Sequence, residues 1–145
     1  MVTLKVIGRP GPSGSKSFMG LDGKGKAILS QASKYKKPWQ EAVKWAFMES
    51  EFYRIIPFDK AVEMTVEFTC LRPDGQYKAN GQPNPRTYRK YPYKRKLGDM
   101  DKLVRATNDA LEGLVFKNDK QVVRQVNSIV YGEYQGATII IKELV

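Results

Sequence analysis

Three aspartates in this chain could share one task. Asp99 and Asp101 flank Met100 directly after Gly98, and Asp119 follows Asn118 further along. Carboxylates held close repel one another unless a cation offsets them. A divalent ion bound by such oxygens lowers the pKa of its water and stabilises charge on a phosphate. The rest of the composition narrows the chemistry in the same direction. Histidine is absent and Cys70 is the only cysteine, so Ser-His-Asp triads, histidine–cysteine dyads and the usual zinc ligand sets are excluded. A metal would sit on oxygen ligands, which suits Mg²⁺ or Mn²⁺.

The pair needs an element to aim it. A helix is predicted from about Asp99 or Met100 to Leu114, with Leu103, Ala106, Ala110, Leu111 and Leu114 as its buried stripe and Gly113 helping to end it. At a helix entrance the chain is not yet regular, so two carboxylates two residues apart can converge; inside a helix they could not. The competing reading is ordinary capping by Asp99 or Asp101. Asp101, Arg105 and Asp109 recur every four residues and predict a charge ladder, with Asp109 pairing to Arg105. Asp119 precedes a strand expected over Val122 to Tyr131, whose mixed alternation leaves the buried face open. If that strand packs beside the helix start, Asp119 reaches the pair.

Other elements follow from periodicity. Val2 to Ile7 is a strand with Val2, Leu4 and Val6 on one face. Gly8 to Ser15 is a Gly/Pro loop without the phosphate-loop spacing. Asp22-Gly23-Lys24-Gly25-Lys26 marks a turn, with room for a short strand on either side. Pro38 opens a second helix running to about Glu51 or Phe52, in which both Trp39 and Trp45 are expected to anchor the core beside Val43, Ala46 and Phe47. Ala61 to Cys70 alternates without a break, which makes Cys70 a buried apolar position and not a nucleophile. Ala137 to Leu144 is the last strand, with Thr138 to Ile141 expected to be buried on both sides or close to it.

The charge balance adds a partner. The 145 residues carry 25 Lys plus Arg against 15 Asp plus Glu, a net +10, which favours nucleic acid. Every charged residue from Lys78 to Lys96 is positive: Lys78, Arg86, Arg89, Lys90, Lys94, Arg95 and Lys96, with Tyr88, Tyr91 and Tyr93 among them. Cations neutralise phosphates and tyrosine rings stack on exposed bases. This region, about 74–96, reads as one long, partly mobile basic loop leading into the acidic pair. Lys16, Lys34, Lys36 and Lys37 are further candidates for DNA contact. Residues 1–145 form one expected domain. No run approaches the roughly 20 apolar residues of a membrane span and Met1 to Gly8 lacks signal-peptide character, so a soluble intracellular protein is expected.

From Gly98 to about Ile141 the sequence resembles the RusA family of Holliday-junction resolvases of bacteria, their prophages and phages. The matching run is Asp99-Met100-Asp101-Lys102-Leu103-Val104-Arg105-Ala106, then Asp109-Ala110-Leu111, Gly113-Leu114-Val115, Asn118-Asp119 and Gln121-Val122-Val123. Pro10-Gly11-Pro12-Ser13 and Lys34-Tyr35-Lys36-Lys37 match more loosely. The resemblance implies that Asp99, Asp101 and Asp119 are catalytic metal ligands. It also implies a catalytic basic residue at Arg105, where better-known members carry lysine; Arg and Lys differ in geometry. Lys102 stands where many members have Asn, and Asn118 where some have a second acid. It implies Mg²⁺ as cofactor with Mn²⁺ as a substitute, four-way junctions as substrate, a homodimer, and the cytoplasm of a bacterial or infected cell. The expected fold is α+β: a small mixed sheet with two main helices, in the order β-α-β-α-β-β. Three rival readings remain from the residues alone: a DNA-binding protein without chemistry, a nuclease for flaps or forks, and a partner of an acidic protein.

Overall fold

The computed structural model describes residues 1–14, 16–31, 34–55, 57–93 and 95–145, with side chains outside 15–19 and 27–33. Its elements are β1 (Val2–Ile7), β2 (Lys16–Leu21), β3 (Ala27–Gln31), α1 (Lys36–Met48), β4 (Val62–Leu71), α2 (Met100–Leu111), β5 (Val122–Gly132) and β6 (Gly136–Glu143). The expected α+β order is present, with one addition. β2 and β3 form a separate antiparallel hairpin, turned by Asp22, whose Oδ1 accepts from the amides of Lys24 and Lys26.

The other four strands form one mixed sheet, in the order β1-β6-β4-β5. β6 lies antiparallel to both β1 and β4, whereas β5 runs parallel to β4. A parallel neighbour requires a crossover, and α2 is that crossover. Alternation then decides what is buried. Val62, Met64, Val66 and Phe68 of β4 face the core with Val2, Leu4, Val6, Ile139 and Ile141. β6 is therefore buried on one face only, since Thr138 is exposed and Ile140 half-buried; the expectation of burial on both sides fails because a single helical layer covers the sheet.

The helices lock to each other through Trp39, whose indole N–H donates to Thr107 Oγ1 at 3.0 Å and whose ring lies 6.2 Å from that of Phe68. Trp45 does not join it. It is 60% exposed, because six residues carry it about 240° around the helix from Trp39. Leu103, Ala106, Ala110 and Leu111 seat α2 as its periodicity predicts. No helix among the described residues is long and apolar enough to cross a membrane.

Candidate active site

The helix α2 is held at its start by loops from both sides. Gly98 adopts φ +102°, and a β-carbon there would fall 2.9 Å from Pro12; glycine allows both the turn and the close approach. Ser13 N donates to Lys102 O in the first helical turn. Gly11 is still more tightly placed, since a side chain would collide with the Tyr35 carbonyl. Arg95 Nε donates to Gly98 O at 3.1 Å and its Nη1 to Pro92 O at 3.2 Å. Arg9 Nη2 reaches Lys96 O at 3.3 Å while its guanidinium stacks 3.9 Å above Tyr35. The Gly8–Gly14 segment, which its composition marks as a plain loop, is thus one wall of the site. The looser match at Pro10–Ser13 is its only signal in the sequence.

Asp99 is the N-cap of α2 in extended conformation, yet its side chain makes no capping bond. A capping carboxylate typically contributes about 1 kcal/mol, which this residue forgoes. Asp101 lies exposed in the first turn, where the helix dipole favours an anion. Neither takes part in an ion pair within 4.0 Å, and the only such pair among the described residues joins Arg124 to Glu63 at 2.6 Å. The predicted Asp101–Arg105–Asp109 ladder is therefore absent: all three side chains point into solvent, where such a pair gains little. Arg105 remains exposed and outside any ion pair on the Asp101 side of the helix.

Asp119 is not brought to the pair. β4 and β5 run parallel, so α2 must run back against them, and the start of β5 lies at the far end of the helix. Twelve residues of helix, roughly 18 Å, separate the two places. No group of three or more acidic or cysteine residues among the described ones is arranged to hold a metal ion. Asp119 nonetheless sits on a firmly held turn. Gln121 Oε1 accepts from the amides of Lys117 and Asn118, and its Nε2 donates to the carbonyls of Phe58 and Lys60, each at 2.8 Å. Asn118 closes a capping box over the same turn. The neighbouring Asp119 is exposed, and the side-chain bonds of the turn go to Asn118 and Gln121 instead of its carboxylate.

The basic segment is folded, not featureless. It begins with a short 3₁₀ turn, Asp74–Gln76. Arg72 stacks 3.7 Å over Tyr88 and 5.0 Å over Tyr131, and donates to Gln76 Oε1 and the Arg89 carbonyl. Gln76 also receives the amide of Arg89, and Tyr131 N–H donates to Lys90 O. Sequence reasoning missed Arg72 and Arg9 because both precede the cationic run whose density drew attention. The remaining cations stay outside: Lys78, Arg86, Arg89, Lys90 and Lys96 are exposed, as are Lys34 and Lys37, while Lys36 and Arg95 are half-buried. Lys94 and the side chain of Lys16 lie outside the described residues. A groove lined by Tyr91, Pro92, Tyr93, Arg95, Met100, Ser128 and Ile129 runs beside the acidic pair.

Cys70, at the end of β4, is half-buried. Burial pushes its thiol up against the opposing pull of Arg95 and Arg9, so it stays protonated and unreactive at neutral pH.

No curated protein matches the chain. The family model for endodeoxyribonuclease RusA matches residues 9–142, which takes in the proline–glycine wall, the basic segment, α2 and the Asp119 turn. The chain belongs to the RusA endodeoxyribonuclease family.

Proposed function

We propose that the protein hydrolyses phosphodiester bonds in branched DNA, resolving Holliday junctions by paired nicks, with Asp99 and Asp101 as metal ligands. One observation carries this reading above the others: two carboxylates at a helix start, free of capping and pairing, stand where the basic segment and the Arg9 loop converge. The donor set is oxygen only and fits Mg²⁺, with Mn²⁺ as a substitute. Asp99 and Asp101 would hold such an ion, which when bound would lower the pKa of a water and offset charge at the scissile phosphate.

The protein's own groups do the rest. Lys90, Lys96 and Arg86 neutralise phosphates of the arms. Tyr91 and Tyr93, 58% and 70% exposed, stack on bases unpaired at the crossover. Arg105 meets the backbone beside the carboxylates. A four-way junction has two-fold symmetry, and a homodimer presents two matching sites to opposed strands.

The test compares wild type with Asp101→Asn on a labelled junction in Mg²⁺, Mn²⁺ or EDTA. Metal-dependent cutting that is lost in the variant while junction binding survives supports the reading. Tight binding without cutting in either metal would remove the enzymatic role and leave a DNA-binding protein.

A further inference from the structure

The side of the sheet away from β5 ends at β1, whose one sheet neighbour is β6. Gly8 N–H donates to Gln135 O at 3.1 Å, in register with Ile7 opposite Gly136. Alternate residues of an antiparallel strand point their main-chain groups the same way. Val2, Leu4 and Val6 therefore bond to β6, and Thr3, Lys5 and Ile7 turn theirs outward. Among the described residues nothing takes those outward groups. A lysine on an edge strand can guard it, but the Lys5 ammonium is drawn to the Tyr134 ring, 5.4 Å away. Beside this edge runs a groove of about 500 Å³, between Lys5 and Ile7 of β1 and the outer side of α1. Its helical wall carries Glu41, Trp45 and Glu49 in one row, with Ala42 and Ala46 beside them.

We infer that this groove takes an extended cationic segment of a partner protein, added as a strand to β1, with an arginine or lysine side chain over Trp45. Trp45 is 60% exposed, and an indole face between two carboxylates attracts a cation. Glu41 and Glu49 are exposed and belong to no ion pair among the described residues. Lys37 and Lys44 lie on the far side of Glu41 from the groove, about 40° and 60° around the helix. An added strand turns alternate side chains toward the helix, roughly 7 Å apart. That is close to the roughly 6 Å between successive members of the Glu41, Trp45 and Glu49 row, so one side chain of the segment can meet each. The main-chain groups of Thr3, Lys5 and Ile7 supply the ladder, and the row supplies the choice of side chain. The same two carboxylates repel DNA and anionic lipid. A second copy docked about a two-fold axis would set the row against itself, glutamate facing glutamate. The occupant is therefore a different protein, and the inference needs no part of the nuclease reading.

The probe is a short labelled peptide alternating arginine and valine, titrated against the full chain by fluorescence anisotropy. The same peptide with glutamate in place of arginine runs beside it. The arginine peptide should bind, more weakly as salt rises, and the glutamate peptide should not. Trp45→Ala, with an unchanged circular-dichroism spectrum, should weaken binding by about 10-fold. Glu41→Gln combined with Glu49→Gln should also weaken it and should flatten its salt dependence. Hydrogen exchange at the Thr3, Lys5 and Ile7 amides should slow in the complex, which attraction between charges alone would not cause. No binding of the arginine peptide, equal binding of the glutamate peptide, full-strength binding by Trp45→Ala, or unchanged exchange at the three amides overturns the inference. So does a light-scattering mass that falls from dimer to monomer in Trp45→Ala, since the face would then be a contact between copies.

Discussion

The two ends of the α2–β5 unit are built to opposite plans. At the helix start, Asp99 and Asp101 sit among loops pinned by Arg9, Arg95 and Gly98. At the strand start, Asp119 stands between exposed Lys117 and Lys120 on a turn closed by side-chain bonds from Gln121 and Asn118. The first end is open and charged to receive a polyanion; the second is rigid and presents one carboxylate outward. Ligands of open sheets with parallel strands gather outside the carboxyl ends of those strands, and the α2 start lies there.

The contrast breaks most sharply at Asp101. Asp101→Asn should reduce metal-dependent cutting by about 10³-fold or more, equivalent to about 4 kcal/mol of transition-state stabilisation, while junction affinity measured by gel shift stays within a few-fold. Gln121→Ala should act at the other end through the turn alone. Loss of its four side-chain bonds should lower thermal stability by about 1–3 kcal/mol in a denaturation curve, with Asp119 still present. Replacing Arg86, Arg89 and Lys90 together by Ala should flatten the salt dependence of binding, reducing the slope by about 1 for each phosphate left without its cation. Asp109→Asn should do least. Its carboxylate forms no ion pair, so thermal stability and cutting should stay within about 0.5 kcal/mol of wild type.

Much of the scaffold was legible because burial has a period. β1, β4 and α2 lie within a few residues of their expected bounds, since each puts apolar side chains on one face. Trp45 and Ile140 were misjudged for the complementary reason: apolar character was counted without the angle or the layer that decides its direction. At the site, the Asp99–Asp101 pair was readable as local geometry at a helix entrance. The position of Asp119 was not, because it depends on the parallel pairing of β4 with β5, between residues about 60 apart in sequence. The roles of Arg72 and Gln76 in folding the basic segment were equally hidden, as stacking and side-chain bonds across a loop leave no periodic trace.

Mapping the cuts on a four-way junction tests the central claim most directly. Each of the four strands is labelled in turn, and the products formed in Mg²⁺ are sized beside those from a linear duplex of the same sequence. The account predicts nicks at symmetric positions in two opposed strands at the crossover, and none in the duplex. Nicks distributed along the arms, or equal cutting of the duplex, would contradict it.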